Sequence, residues 1–446
     1  MLCKRIPYGL KTGCAVVIAV VSVTNSAGAG GQREISGVMN TDPLTLCFAP
    51  GTSQEFVEES YERVAEVARL NSLLSPLATK YQLDGWWTAT ATDGGGISRG
   101  EPITLTWSVV PDGMSIPGSA WVGDATAPSN LRAFLTGIYG NEATWLALFQ
   151  QVFDRWGELT GITYIYEPND DSGSWTNAAG SIGVRGDIRI SGHAIDGNYG
   201  ILAYNFYPST GDMVIDTSDS FYNDTSSNSL KFRNTVAHEH GHGLGLGHTC
   251  PMNQSKLMEP MLTTAFDGPQ HDDILGSNRR YGDRFEYNET SGASKSLGAI
   301  GSLTNSNLSL DGNTDLDFFS FAADPGSDLD LTLTPVGTTY LTGPQVGQCD
   351  TGSSYNSLTI QDLAVRVLDT NGSSELASAD DYGVGGSESL SAVELAGGGT
   401  YYVEVSGDSS DEAQMYELSL TVSSSEQLFS DGFESNSTTS WSSSVP

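Results

Sequence analysis

His238-Glu239-His240-Gly241-His242-Gly243-Leu244-Gly245-Leu246-Gly247-His248 gathers four of the chain's six histidines into one short run. His238 and His242 are four residues apart. On a helix that spacing stacks them on one face, where two imidazole nitrogens can reach one metal ion. Glu239 lies beside the first ligand, placed to hold and deprotonate a water on that metal. Gly245 can take positive φ and end the helix in a sharp turn. The turn would return His248 as a third ligand. Three protein ligands leave one position open, which marks a catalytic rather than a structural zinc. The competing reading is a Gly/His-rich loop that binds metal loosely. His240 has no assigned role and is expected to be a solvated neighbour.

The run fits H-E-x-x-H-x-x-G-x-x-H in full, and here the chain resembles the metzincin clan of zinc metalloproteases, specifically the matrixins. Ser255-Lys256-Leu257-Met258-Glu259-Pro260 is similar to the matrixin Met-turn, with Met258 as the floor beneath the zinc and Pro260 following it. His271-Asp272-Asp273-Ile274-Leu275-Gly276, then Arg280-Tyr281-Gly282, resembles the family's closing helix. Asp196-Gly197-Asn198-Tyr199-Gly200-Ile201-Leu202-Ala203-Tyr204 resembles a matrixin stretch that binds calcium and a second, structural zinc. The resemblance implies a calcium set of Asp196, Asp216 and Asp219, oxygen donors of the type calcium prefers. At the structural-zinc positions stand Arg189, Ser191, Tyr204 and Val214, so one catalytic zinc is expected and not two. His193 is off register and reads as a surface histidine. Leu262 replaces a tyrosine that helps to wall the family's specificity pocket, so cleavage preference does not carry over. Pro260 stands where serralysin- and astacin-like relatives place a helper tyrosine.

Lys and Arg number 20 against 54 Asp and Glu, a formal charge of −34. Such a chain is repelled by phosphate backbones and anionic lipid, which argues against nucleic-acid and peripheral membrane roles. Lys4, Arg5 and Lys11 precede the apolar run Cys14–Val21, and Ala27-Gly28-Ala29 suits cleavage: a secretory signal peptide is expected over 1–29, and no stable membrane insertion. Of five cysteines, Cys47, Cys250 and Cys349 would remain. At most one disulfide can form, and the sequence does not choose the pair. In matrixins a pro-segment cysteine can block the zinc, making a zymogen. Leu46-Cys47-Phe48-Ala49-Pro50 departs from that family's latency motif, so a disulfide partner or a plain buried thiol is the preferred reading of Cys47.

The length suits two or three domains. The expected class is α+β multidomain: a zincin-like catalytic domain, with a mixed twisted sheet and an active-site helix, followed by an all-β sandwich. The N-terminal or pro segment covers 30–100, with a capping box at Thr52–Glu55 opening a helix through Leu70. The catalytic domain covers 101–285. It is expected to hold strands at 103–110, 162–166 and 188–190, a helix at 142–156, an edge strand at 202–207 and the active-site helix at about 229–244. Residues 286–300, rich in Gly, Ser and Asn, read as a linker. Residues 301–423 read as a sandwich resembling the bacterial pre-peptidase C-terminal domain, and 424–446 as a serine-rich tail. These resemblances imply a secreted bacterial endopeptidase, monomeric, acting on protein or peptide substrates, with zinc and calcium as its ions. The alternative is a zinc- and calcium-containing secreted adhesin whose protease domain is a relic. Glu239 argues against it, because zinc binding does not require that carboxylate.

Overall fold

Ile103-Thr104-Leu105-Thr106-Trp107-Ser108-Val109 carries β-branched and apolar residues along its length, as a strand covered on both faces does. It is the centre of the catalytic half in the computed structural model, which describes residues 44–424 apart from 54, 58, 61–82, 84, 120–121, 176–178, 346–348 and 409. The expected signal peptide, most of the helix ending at Leu70 and nearly all of the serine-rich tail lie outside the described residues.

Six strands form the first sheet: β1 (Leu44–Phe48), β2 (Ile103–Val109), β3 (Ile162–Tyr166), β4 (Ile188–His193), β5 (Ile201–Phe206) and β6 (Met213–Asp216). Their order across the sheet is β1-β5-β6-β4-β2-β3. β3, β2, β4 and β6 are parallel, and β5 and β1 run antiparallel to their neighbours. Helices α1 (Leu131–Tyr139) and α2 (Glu142–Leu159) follow β2. Asn141 caps α2 by accepting from Thr144 N at 3.0 Å. Its buried stripe, Trp145, Leu148, Phe149, Val152, Phe153, Trp156 and Leu159, follows helical spacing and is core. Trp107 of β2 meets it, with its ring centroid 4.8 Å from that of Phe153.

Helix α3 (Ser226–Gly243) carries the histidine run, and α4 (His271–Tyr281) closes the domain. α3 is not regular from its start: Ser227, Asn228 and Ser229 have positive φ, so the regular helix begins after them. From Asn234 to Gly243 every residue is buried although few are apolar, the mark of a helix kept for chemistry.

The second half is two stacked sheets. One has the order β7 (Lys295–Ala299), β9 (Leu316–Ala323), β16 (Gly399–Ser406), β13 (Ala364–Leu368), β14 (Glu375–Ala379); the other β8 (Ser302–Leu310), β17 (Gln414–Ser424), β10 (Ser327–Val336), β15 (Glu388–Leu395). A hairpin, β11 (Thr339–Thr342) and β12 (Ser353–Asn356), stands apart from both. Inward residues such as Phe319, Leu331, Val365, Val403 and Leu418 alternate with outward polar ones and form one core.

Two departures matter. β5 is not the edge of its sheet, because β1 lies outside it. The stretch 286–300, expected as a linker, is built into the second half: β7 pairs in parallel with β9, and Asn288 is buried with its side chain donating to Asp317 at 3.0 Å. Of this stretch only Asn288 is buried; the strand pairing of β7, whose own residues are mostly exposed, ties it to the second half.

Candidate active site

α3 brings His238 and His242 onto one face, and Gly245, at φ +94°, turns the chain so that His248 returns. Nε2 of His238 lies 3.1 Å from Nε2 of His242 and 3.1 Å from Nε2 of His248. Every Nδ1 faces an acceptor: His238 Nδ1 donates to Leu257 O at 2.7 Å, His242 Nδ1 to Leu246 O at 2.6 Å, and His248 Nδ1 to the Gln345 amide oxygen at 2.8 Å. Carbonyl oxygens cannot donate, so each ring carries its proton on Nδ1 and presents a bare Nε2 lone pair to the other two. Three lone pairs aimed at one point repel unless a cation sits between them. Burial holds the rings neutral, pushing His238 down to about 4 and His242 and His248 well below the usual histidine range. The residues therefore fit a zinc ion with a fixed outer set of hydrogen bonds.

The floor is built by the loop after His248. Met258 is buried, and its sulfur packs so close to Gly241 of α3 that a β-carbon there would come within 2.4 Å of it. Glu259 folds the turn by accepting from the backbone N–H groups of Gln254, Ser255 and Lys256. Asp273 of α4 pins it from the other side, accepting from Leu257 N at 2.8 Å and Met258 N at 3.1 Å. Neither carboxylate carried a sequence signal for this task.

Glu239 is fully buried, the Cys47 thiol hydrogen-bonds to its carboxyl, and burial pushes that carboxyl well above the usual range. Cys47 stands beside it. One ligand atom each of Cys47, His238 and Glu239 lie within 4.8 Å of one another. Burial, then the charge on Glu239, pushes the Cys47 thiol up. Cys47 is free, and the disulfide joins Cys250 to Cys349. The preferred reading of Cys47 is thus half right: a buried thiol, but in the metal cleft. β1 reaches there by strand pairing. It runs antiparallel to β5, Leu46 opposite Tyr204 and Cys47 opposite Ala203. On its other side Phe48 N donates to Pro260 O at 3.3 Å, and Leu262 N donates to Phe48 O at 3.1 Å. Alternation sends Leu46 and Phe48 into one apolar cluster and Cys47 toward α3.

Two histidines differ from expectation. His240 is not solvated: it is fully buried, held down to about 3, with Nε2 2.6 Å from Tyr164 OH. His193 is not on the surface: it is buried with Nε2 2.6 Å from Asp124 Oδ2, and Tyr204 OH reaches the same oxygen at 3.4 Å. Where a structural zinc was not expected, Arg189 is wholly buried and paired with Asp170 at 2.7 Å, its guanidinium also donating to Gly173 O and Ser174 O. Ser191 and Tyr204 both pair with Val214 across β6.

Asp196, Asp216 and Asp219 come to one loop region, where backbone N–H groups engage them. Asp216 accepts from Ile195 N at 3.0 Å, Asp219 from Tyr199 N at 3.2 Å and Asp196 from Ile201 N at 3.1 Å. Burial, with the neighbouring Asp216 and Asp219 charges, raises Asp196 to about 7. Among the described residues, the tighter acidic group is one sequence reading missed. Glu286, Glu289 and Asp315 bring one oxygen each within 4.8 Å of one another, and burial followed by the charges of Asp317 and Asp315 raises Glu286 to about 12. In so acidic a chain their spacing carried no signal.

Residues 139–282 match the matrixin family, Peptidase_M10. The chain is 28% identical over 155 residues to metalloendoproteinase 2-MMP of Arabidopsis thaliana, covering 32% of this chain and 39% of that one. It is 32% identical over 135 residues to hatching enzyme of Paracentrotus lividus, covering 30% and 22%. The chain thus spans two-fifths or less of these curated relatives. The matrixin match ends at Gly282, the residue after α4, and takes in the three converging histidines and Met258. Among solved structures, myroilysin aligns at 14% identity over 42% of this chain and 81% of its own, with a TM-score of 0.23. The pre-peptidase C-terminal domain of collagenase from Bacillus anthracis aligns at 16% over 29% and 94%, with a TM-score of 0.19. Scores this low carry no argument, and the sandwich rests on its own strand order.

Proposed function

We propose that the protein is a secreted zinc-dependent endopeptidase, and that this structure is its latent form. The observation that carries the proposal is the convergence of three Nε2 lone pairs, each fixed by an Nδ1 hydrogen bond, beside a buried glutamate. His238, His242 and His248 would hold the ion. Bound there, zinc would supply Lewis acidity, lowering the pKa of water from about 15.7 to about 7 and stabilising the oxyanion of the scissile carbonyl.

The chain's own groups do the rest. The Glu239 carboxylate takes the proton of the attacking water and returns it to the leaving nitrogen. Its apolar surroundings raise its proton affinity toward that of a working general base. β5 and the segment Pro260–Leu262 form a slot that accepts an extended peptide by strand addition, and β1 occupies that slot. Latency follows, with Cys47 placed to meet the metal and exclude water until β1 leaves. The aspartates Asp196, Asp216 and Asp219 are proposed to take calcium, displacing the proton that Asp196 otherwise keeps. The export signal and extracellular site remain part of this reading, in keeping with a disulfide between Cys250 and Cys349. Among the described residues no helix is long and apolar enough to cross a membrane.

The test is hydrolysis of casein and of a peptide library by the zinc-loaded protein after removal of β1. The expected result is cleavage abolished by a chelator and by Glu239→Gln. One equivalent of bound zinc with no peptide cut would instead favour a binding protein.

A further inference from the structure

The β-sandwich reaches into the metal centre. His238 and His242 are oriented by carbonyls of the catalytic half, Leu257 O and Leu246 O, whereas the partner of His248 Nδ1 is the side-chain oxygen of Gln345, 97 residues further on. Gln345 follows the β11 strand of the sandwich hairpin, and the chain around it is tied to the segment after His248 at several points. Thr249 and Pro344 form an antiparallel bridge. Cys250 N donates to Gly343 O at 2.8 Å, and Met252 N to Cys349 O at 2.8 Å. The Cys250–Cys349 disulfide fixes the same two segments, with Cα atoms 5.0 Å apart. Behind it, Tyr340 OH donates to Asp272 at 2.6 Å, and Ser357 Oγ lies 2.8 Å from His271 Nε2.

Resting on the peptidase reading above, we propose that Gln345 is a positioning residue of the metal centre, supplied by the C-terminal half and held in place by the Cys250–Cys349 disulfide. An amide oxygen accepting from Nδ1 fixes the tautomer and ring plane of His248, so that its Nε2 lone pair faces the other two. The amide oxygen is a good acceptor but sits on a side chain with rotamer freedom. It holds His248 only while the backbone carrying it is held. The disulfide and the two backbone hydrogen bonds do that, two residues from the ligand itself. The sandwich is therefore part of the active centre and not a removable passenger: an enzyme cut between the halves keeps its orientation of His248 through the disulfide and loses it on reduction.

The experiment measures zinc affinity by competition with a chromophoric chelator, with thermal melting in parallel, on the full chain. Gln345→Ala is expected to weaken zinc binding about 10–100-fold, the range seen when an outer partner of a ligating histidine is removed, with the melting temperature of the metal-free protein unchanged. Gln345→Glu, which keeps an acceptor, is expected to restore affinity. Cys250→Ser combined with Cys349→Ser is expected to weaken zinc binding in the same direction. Wild-type affinity in Gln345→Ala overturns the proposal, as does a Gln345→Glu variant no better than alanine. Wild-type affinity in the double serine variant overturns the role given to the disulfide. If the wild-type chain itself binds no zinc, the peptidase reading fails first, and that outcome is distinct from the others.

Discussion

Shortening Phe48 should open the cleft. Phe48 is fully buried in a cluster with Val57, Ile201 and Tyr204, and its ring centroid is 6.4 Å from that of Phe56. Those contacts exist only while β1 is docked on β5. Truncating a buried phenylalanine to alanine costs about 3–5 kcal/mol. At about 1.4 kcal/mol per factor of ten, Phe48→Ala shifts the docking equilibrium of β1 toward release by about a hundred-fold or more. Burying Leu46 and Phe48 together contributes about 3–6 kcal/mol to docking, of which Phe48 supplies about half, the rest of the truncation cost being the cavity left behind. The assay is cleavage of a quenched fluorescent peptide by the zinc-loaded, uncleaved chain, with near-ultraviolet circular dichroism to show that the core is intact. Phe48→Ala should cut the peptide at least about a hundred times faster than wild type, up to the rate of protein freed of β1. An intact, folded Phe48→Ala variant no faster than wild type, when the β1-free protein is active, refutes the reasoning that β1 is the block.

Other outcomes follow from the same geometry. Cys47→Ser should also activate the uncleaved chain, measured in the same assay, because β1 then docks without its thiol on the metal and leaves the slot more often; an unchanged rate would leave Cys47 without a role in latency. Asp170→Ala should lower stability by about 3–5 kcal/mol in urea unfolding, since it strands the wholly buried Arg189 without its counter-charge; a loss under about 1 kcal/mol would mean the pair is not the lock it resembles. The metal-free protein should lose stability as pH rises from about 7.5 to about 8.5. Asp196 and Asp272 are raised to about 7 and Glu286 to about 12, in each case chiefly by burial. For such groups the folded state holds protons that the unfolded chain has released, so their stabilisation is complete below the unfolded pKa and is lost as pH climbs through the folded one. Buried histidines are charged in the unfolded chain near pH 6.5 and oppose the trend there, but above about 7.5 they are nearly neutral in both states and leave it unchanged. A urea midpoint that rises with pH in the presence of chelator would contradict it.

What the sequence made legible is what local pattern encodes. Helical stacking of His238 and His242, the turn at Gly245, the aromatic stripe of α2 and the alternating strands of the sandwich are all set by residues within a few positions of one another, and all are found. What escaped depends on distant partners. His240 is buried because Tyr164, from a strand 76 residues earlier, meets its ring. His193 is buried because Asp124 does the same from 69 residues away. A histidine's neighbours in sequence say nothing of either. Leu44-Thr45-Leu46-Cys47-Phe48 is too short to show which strand it will join, so β1 in the cleft could not be foreseen. The disulfide could not be chosen among three thiols, and the second half's approach to His248 through Gln345 follows from that pairing. The stretch 286–300 misled because a Gly, Ser and Asn composition does not show strand pairing: β7 joins β9 while most of its residues stay exposed, and Asn288 is held by Asp317, 29 residues on.

The proposed chemistry stands on three imidazoles converging on one zinc. Zinc K-edge X-ray absorption on the uncleaved chain loaded with one equivalent of the metal tests it most directly. The account predicts three imidazole nitrogens at about 2.0–2.1 Å and a single sulfur at about 2.3 Å from Cys47, with the sulfur lost in Cys47→Ser and the nitrogens kept. A shell of carboxylate and water oxygens, or fewer than three imidazoles, would contradict it.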